Sequence, residues 1–448
     1  MQVIENVGHS QIVSYTPTSR ASGLPRLLSL SMAEREKVAH LLRRATFGPT
    51  AEEVDEAEKA GYAATADRLL NPPTPDTAPA APALTGAKEL QILRLTEWWL
   101  DRMVATPHQY QEKLVFFWHG HWATSYEKVD TAPLMLGQQN LFRQLGRGDF
   151  ATFVKAMVRD PALILWLDGQ RNTKKAPNEN LARELMELFT VGIGNYTEAD
   201  VQQGARALTG WTANKGNGAV KLEMSRFDGG DKTILGQTGK FGTDNFVDIL
   251  MAQPATAKFL AQRLWFRFAS GAPIPADAEQ RMTAAYGANR DLNALTGALL
   301  KDPAFPATRG QLVKQPTEWA VGAMRQLGLR PSTFNDADRK MLVELLDDMD
   351  QIVFRPPSVG GWPDGPAWLT TASVQVRLRL AEILANKAPA VTIDKLNAAP
   401  EQTRVDALGR LLVVDVWTQR TRQALTGSVK NVRNLLALGL ISPEYCVH

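Results

Sequence analysis

Apolar residues recur every three or four positions along most of this 448-residue chain, and this spacing constrains the fold more than any other feature. It places an apolar stripe along one face of an α-helix. The segments 254–268 and 315–327 show it most strongly. The spacing predicts a mainly α fold, with a single large multi-helical domain over residues 31–448 and an N-terminal arm at 1–30.

Three segments interrupt the helical spacing. Residues 71–87 are rich in proline and alanine, which favours an extended linker loop over a helix. Residues 219–236 alternate apolar and polar side chains and then reach Gly229 and Gly230, a pattern typical of a small β-hairpin insertion. Residues 354–368 combine proline, glycine and tryptophan, and a long ordered loop of this kind is usually functional.

The composition excludes several classes of protein. The formal net charge is +3 and both signs are mixed along the chain, so nucleic acid is not an expected partner. The lone cysteine, Cys446, excludes an intramolecular disulfide and a cysteine-based metal site. No stretch has the roughly 20 apolar residues that a membrane-spanning helix needs. The N-terminus lacks the pattern of a secretory signal, which by itself predicts a cytoplasmic protein.

The segment Trp118-His119-Gly120-His121-Trp122 is the first candidate site. Imidazole is the commonest metal ligand and the usual acid–base group near neutral pH. Two residues apart on a helix, side chains point about 200° away from each other, unless Gly120 ends the helix and frees His121 to turn back. One His-x-His pair falls short of the three protein ligands usual for catalytic zinc. We therefore predict no cofactor, and a divalent metal at His119 and His121 is the alternative.

The second candidate is the helix predicted over residues 178–190. Glu179, Arg183 and Glu187 are spaced four positions apart on one face, which suits an ion-paired stripe on the surface. Glu184 borders the apolar stripe instead, where a carboxylate is partly desolvated, needs a partner and has a raised pKa. Glu184 is therefore either a member of a structural ion pair or a general acid.

Arg206 and Asp228 are candidates on the elements that follow. The Arg206 guanidinium suits a carboxylate of a substrate, or of Glu184 or Glu187, and we favour an ion pair that joins the two helices. Asp228 lies in a turn rich in aspartate and glycine, which lacks the full ligand pattern of a calcium loop. We favour a plain hairpin turn for this segment.

The chain contains 11 tryptophans, a high number for its length. Large aromatic side chains mostly fill cores, and the alternative is that some of them stack on sugars. Trp362 and Trp368 lie between the prolines of the 354–368 loop. They form a stacking platform if the loop exposes them, and they plug the core if it buries them.

Taken in order, these motifs resemble those of the bacterial domain-of-unknown-function family 1800. The resemblance begins at residues 40–48, takes in the His-Gly-His segment and the Glu184 helix, and continues through 208–211, 232–236 and the 354–368 loop. It implies a bacterial protein, often exported or periplasmic, and a sulfatase-like partner protein encoded by a neighbouring gene. It implies no known reaction. The resemblance implies a histidine before the aspartate of the turn, where this chain has Phe227. If that histidine is a metal ligand in the family, this chain has lost the ligand.

Three functions are compatible with these residues. The first is a hydrolase that acts on a glycan or another envelope polymer, with Glu184 as the acid and Glu179 or Glu187 as the second carboxylate. The second is a non-catalytic binding or assembly protein of the envelope. The third is a metal-dependent enzyme that uses His119 and His121. The residues expected to contact a substrate are Arg183, Arg206, Trp118, Trp122, Trp211, Asp228, Trp362 and Trp368.

Overall fold

The computed structural model describes residues 32–448, and its first helices begin and end at residues that the sequence marks. Thr50 accepts a hydrogen bond from the backbone N–H of Glu53, and the Glu53 carboxylate accepts one from the N–H of Thr50, which is the predicted capping box. A helical pattern that runs on from Lys88 breaks just before Pro107, because the residue before a proline is disfavoured in a helix. The helices here are α1 (Glu34–Ala45), α2 (Ala51–Ala60), α3 (Tyr62–Leu70), α4 (Lys88–Ala105) and α5 (Gln109–His121). The predicted arm at 1–30 lies outside the described residues.

The middle of the chain consists of shorter helices. They are α6 (Tyr126–Val129), α7 (Ala132–Leu145), α8 (Phe150–Met157), α9 (Pro161–Trp166), α10 (Asn180–Glu184) and α11 (Glu198–Ala207). A π-helix, Leu185–Thr190, continues α10 directly. Thr197 and Asp200 form the predicted capping box at the start of α11.

Two small antiparallel hairpins replace the single hairpin predicted over 219–236. The strands are β1 (Trp211–Ala213), β2 (Val220–Leu222), β3 (Lys232–Ile234) and β4 (Gln237–Gly239), with β1 paired to β2 and β3 paired to β4. The tight turn lies at Leu235 and Gly236, whose φ angles are 46° and 78°, and not at Gly229 and Gly230. A two-residue hairpin turn needs positive φ at both positions, and the sequence pattern does not show that Leu235 accepts it.

The rest of the chain is helical, which confirms the mainly α prediction. α13 has the bounds predicted from the spacing, and α16 begins one residue later. The helices are α12 (Thr243–Met251), α13 (Pro254–Phe268), α14 (Ala276–Tyr286), α15 (Leu292–Leu300), α16 (Pro316–Leu327), α17 (Asp336–Asp347), α18 (Thr371–Lys387), α19 (Ala390–Asn397), α20 (Arg404–Leu412), α21 (Gln419–Thr426), α22 (Val432–Leu440) and α23 (Pro443–Cys446). Within residues 32–448, no helix combines the length and the apolar character needed to cross a membrane.

α5 and α16 lie deep in the compact unit that residues 34–448 form, because nearly every side chain of each helix is buried. An ion pair between Lys113 of α5 and Glu318 of α16, at 2.9 Å, joins them, and both side chains are almost completely buried. Gly322 lets the chain after α1 approach α16 closely, since a Cβ there would lie 2.5 Å from the Phe47 carbonyl oxygen. These two helices fix the positions of the histidine segment and of the loops around it.

Candidate functional site

A cleft of about 550 Å³ opens between α13, the π-helix with its following turn, and the 354–368 loop. Residues from four distant parts of the sequence line it. The polar residues with ionisable side chains are His121, Glu187, Lys258 and Arg263. Of the residues predicted from the sequence, the cleft therefore brings together His121 and Glu187.

A narrow extension of about 30 Å³ continues from this cleft under the loop. His121 and Arg263 line both spaces, and Trp362 lines the extension only. Arg267 and Asp364, which also line it, form an ion pair at 2.8 Å. The loop therefore covers one end of the cleft.

The π-helix shapes the opposite wall. The backbone N–H of Val191 donates to the carbonyl of Met186, five residues earlier, at 3.1 Å. This wider turn is uncommon and occurs frequently at functional sites. Gly192, with φ 78°, follows it and packs against α13, because a Cβ there would lie 2.7 Å from the ring of Phe259. The close approach ties the rim of the cleft to the helix that carries Arg263.

His121 is a neutral imidazole at the buried side of the cleft. Its Nε2 is 3.1 Å from the carbonyl oxygen of Phe189. A carbonyl oxygen only accepts hydrogen bonds, so Nε2 carries the proton. Nδ1 is then an acceptor, and it is buried without a hydrogen-bond partner among the described residues. Burial, and then the charge of Arg263, lower the pKa of His121 to about 3.

Arg263 is the one arginine among the described residues that lines this cleft. It is half-buried, its Nε is buried, and no described residue accepts a hydrogen bond from its side chain. Asp364 is close enough to favour its charged form but pairs with Arg267. Burial lowers the pKa of Arg263, yet a guanidinium stays protonated in proteins. The cleft therefore contains a cation whose hydrogen-bonding capacity the described chain leaves open.

The two carboxylates of the π-helix segment lie in different surroundings. Glu187 lines the cleft and accepts a hydrogen bond from the Tyr196 hydroxyl at 2.8 Å. Glu184 is half-buried outside the cleft lining, and burial, followed by the charge of Glu187, raises its pKa. Within residues 32–448, no lysine or arginine forms an ion pair with Glu184, so the prediction of a cationic partner is wrong.

Arg206 pairs with Asp228 instead. Its Nε and Nη2 donate to the two Asp228 carboxylate oxygens at 2.7 and 3.2 Å. Lys232 donates to the backbone carbonyls of Asp228 and Gly230, at 2.6 and 2.9 Å. The predicted pair of Arg206 with Glu184 or Glu187 is wrong because the turn folds back onto the end of α11. These groups hold that turn in place and do not line the cleft.

Glu179 and Arg183 form the surface ion pair that their spacing predicts, at 3.0 Å. Arg183 also pairs with Glu198 of α11, at 2.7 Å. Both side chains are about one-third exposed, so the pair is worth little to stability. They lie outside the residues that line the cleft.

His119 does not share a site with His121. It faces the other side of α5, where its ring contacts Trp99 and Phe354 at centroid distances of 5.2 and 5.4 Å. Its Nε2 accepts a hydrogen bond from the backbone N–H of Phe354 at 2.9 Å, which occupies the lone pair that a metal would need. The described residues contain no group of three or more histidine, cysteine or acidic side chains placed to hold a metal ion. The two imidazoles therefore do not fit a shared metal.

The tryptophans predicted to bind substrate are mostly in the core. Trp118 and Trp122 have no exposed surface, and Trp368 is 2% exposed, so none of the three presents a face to a ligand. Trp211 is half-buried at the first hairpin, where its Nε1 donates to Thr243, away from the cleft. Trp362 is 8% exposed and packs edge-on against His119. The prediction that Trp362 and Trp368 form a stacking platform is therefore wrong, because the loop turns both rings into the core.

Arg263 belongs to no motif, but its position in the sequence contains one signal that it is important. Arg263 lies between Leu260 and Leu264, both fully buried, so it borders the apolar stripe of α13. The same position relative to a stripe marks Glu184, and the argument applies equally to a buried cation. Lys258 carries no such signal, since it is exposed in the same helix.

Comparison with known proteins agrees with this arrangement of motifs. A search of curated proteins and a search of solved structures each found no match. One family model, described as a protein of unknown function, DUF1800, matches residues 40–447. That range runs from α1 to the end of the chain and includes every residue of the cleft. Since the match covers nearly the whole sequence, the chain belongs to the DUF1800 family.

Proposed function

We propose that this protein binds a ligand with an anionic group, and that Arg263 pairs with that group in the cleft. The observation that carries the proposal is the half-buried guanidinium without a partner among the described residues. Burying a charge without compensation costs free energy, so such a group persists where something else compensates it. A carboxylate, sulfate or phosphate oxygen is the natural acceptor for a guanidinium.

The neighbouring side chains support a ligand that also carries hydroxyl groups. Glu187 accepts hydrogen bonds only, and its second oxygen is available beside the Tyr196 hydroxyl. His121 offers Nδ1 as a neutral acceptor. Lys258 is exposed at the opening and adds a second positive charge. Two acceptors and two cations around one cleft suit an acidic polyol better than a neutral or purely apolar ligand.

An acidic or sulfated glycan, or another anionic envelope polymer, is the ligand class that we propose. The family resemblance implies export and a sulfatase-like partner protein, which makes such a polymer a reasonable source of the anionic group. In this proposal the protein is a binding protein of the envelope. Recognition rests on charge and hydrogen bonding, because the tryptophans expected to stack on sugars are buried or, in the case of Trp211, lie away from the cleft.

Titration calorimetry with matched oligosaccharides tests this proposal. We expect sulfated and uronic-acid oligosaccharides to bind, and neutral oligosaccharides of the same length to bind at least about tenfold more weakly. Replacement of Arg263 by methionine should weaken binding by roughly 10- to 100-fold, since a charge-assisted hydrogen bond contributes about 1.5–3 kcal/mol.

The exposed Arg379 of α18 is the matched control, and Arg379→Met should leave the affinity unchanged. Equal losses in the two variants would mean that binding follows overall charge and not the cleft. Equal affinity for the acidic and neutral oligosaccharides would also contradict the proposal.

A hydrolase is the second candidate, and the raised pKa of Glu184 favours it. Glu184 and Glu187 are one helical turn apart, and the charge of Glu187 disfavours ionisation of Glu184. In this proposal a protonated Glu184 donates a proton and Glu187 acts as the second carboxylate. Release of reducing ends from an acidic oligosaccharide, lost in both Glu184→Gln and Glu187→Gln, would support it. Release that persists in both variants would exclude these two residues.

A further inference from the structure

A second and larger cleft, of about 770 Å³, lies among α20, α21, α22 and α23. It contains none of the residues that line the Arg263 cleft. Its walls are largely aliphatic, with charged side chains at the rim. The aliphatic lining residues are Leu412, Val413, Val414, Leu425, Leu438, Ile441 and Val447. Lys314, from the segment before α16, also lines it.

The backbone holds Lys314 in a fixed place. Its N–H donates to the carbonyl of Cys446 at 2.8 Å, and its own carbonyl accepts a hydrogen bond from Arg377 at 3.2 Å. The neighbouring residue, Val313, forms an antiparallel bridge with Val447. The lysine backbone is therefore anchored from two sides at a position that lines the cleft.

The Lys314 side chain has no carboxylate partner among residues 32–448 at ion-pair distance. The residue is 6% exposed, and its Nζ lies 3.6 Å from the centroid of the Tyr445 ring. Glu318 favours the ammonium, but it pairs with Lys113 at 2.9 Å. The Tyr445 ring also favours a charge at Nζ, yet the buried amine has no carboxylate to pair with.

Cys446 and Glu318 favour the ammonium form of Lys314, and the cations around it act in the opposite direction. Arg43 and Lys113 are positive and disfavour a further charge. Burial raises the pKa of the Cys446 thiol and holds the pKa of His448 well below its usual range, so both are neutral near pH 7. Burial is the largest cause, and it lowers the pKa of Lys314 to about 7. An ordinary lysine titrates near pH 10.4.

We propose that Lys314 is a nucleophilic amine, and that it forms an imine with an aldehyde or ketone whose apolar body occupies this cleft. The cleft supplies the walls for the apolar part of the ligand, and the anchored backbone places the amine at its edge. Nucleophilic lysines in proteins are activated in this way, by desolvation and by neighbouring positive charge.

The step requires no reagent beyond the carbonyl compound. The lone pair of the neutral Nζ attacks the carbonyl carbon and forms the C–N bond, and one N–H proton passes to the oxygen, which becomes a hydroxyl group. The C–O bond then breaks, the hydroxyl group leaves as water with the second N–H proton, and a C=N bond remains. One amine and one carbonyl are consumed, and one imine and one water molecule are formed.

Reductive trapping with octanal and cyanoborohydride tests the proposal on the full chain. The hydride converts an imine into a stable secondary amine, which peptide mass spectrometry locates. At pH 7 and limiting octanal, we expect Lys314 to be labelled at least about tenfold faster than the exposed Lys395 and Lys430. Only an unprotonated amine attacks the aldehyde, and ordinary lysines are mostly protonated at this pH. The advantage should narrow at pH 10, where ordinary lysines lose their protons.

Two variants complete the test. Lys314→Met should abolish the preferred label and Lys430→Met should leave it unchanged, with circular dichroism used to compare their folds. If Lys314→Met does not fold, the site map of the unaltered protein decides alone. Labelling of Lys314 at the same rate as Lys395 and Lys430 at pH 7, or no labelling of Lys314, would overturn the proposal.

Discussion

The imidazole Nε2 of His119 accepts a hydrogen bond from the backbone N–H of Phe354 at 2.9 Å. The backbone carbonyl of Phe354 accepts a second hydrogen bond, from the N–H of Tyr126, at 2.8 Å. Together they hold Phe354 at φ 70°, a conformation that a bulky side chain rarely adopts. His119 therefore fixes the start of the 354–368 loop, and His121, two residues later, faces the cleft that the loop covers. The two histidines of the motif serve opposite sides of α5.

We expect His119→Ala to destabilise the protein by about 2–4 kcal/mol. The change leaves the Phe354 N–H buried without an acceptor and opens a cavity beside Trp99 and Trp362. Urea unfolding measures the loss. His119→Gln, which keeps a side-chain acceptor, should recover part of it. An unfolding midpoint for His119→Ala equal to that of the unaltered protein would show that the loop is held by other contacts.

Gly361 is a second point at which the loop contacts α5. Its φ is 86°, and a Cβ there would lie 2.7 Å from the carbonyl oxygen of Gly120. We therefore expect Gly361→Ala to cost about 2–3 kcal/mol, because strain and overlap add.

Gly365 provides the matched control for that change. Its φ is 61°, but a Cβ there has no neighbour within 4 Å. Gly365→Ala should cost only about 1 kcal/mol, the conformational part alone. Equal costs in urea unfolding for Gly361→Ala and Gly365→Ala would show that the contact with Gly120 is unimportant.

The stability of the protein should depend on pH through His119. Burial lowers the pKa of His119 in the folded state to about 3, whereas an unfolded histidine titrates near 6.5. Between these values the unfolded chain binds the proton more tightly, so this contribution is complete above pH 6.5 and is lost as the pH falls. The free energy of unfolding should drop by about 1.4 kcal/mol per pH unit from this residue. His119→Gln should remove that slope, and parallel pH curves for the two proteins would contradict the assignment.

The helices were predictable from the sequence because each depends on local spacing and capping. The boxes at Thr50 and Thr197 and the bounds of α13 follow from residues within one turn of each helix end. The hairpins were less predictable, since Leu235 adopts positive φ only where Asp200 accepts a hydrogen bond from its N–H at 2.7 Å. That partner is far away in the sequence and lies on another element.

The candidate site was only partly predictable, because the cleft is assembled from four segments that are distant in sequence. The motifs gave His121 and Glu187 as candidates but not Arg263, which lies in a helix without a recognisable motif. Spacing also failed to give the partner of Arg206, since Asp228 reaches it only when the turn folds back. The number of tryptophans in the sequence does not predict whether a loop buries or exposes their rings.

Arg263 gives the last prediction, which separates a binding residue from a structural one. A half-buried cation without a hydrogen-bond partner among the described residues destabilises the free protein, so Arg263→Met should increase the free energy of unfolding by about 1 kcal/mol while it removes anion binding. Arg267 lies one turn later in the same helix and pairs with Asp364 at 2.8 Å. Arg267→Met strands that carboxylate, and we expect it to lower the free energy of unfolding. A urea titration of both variants, without ligand, compares the two signs. If both variants are less stable than the unaltered protein, Arg263 stabilises the fold. Its side chain then no longer supports the proposal that the cleft binds an anion.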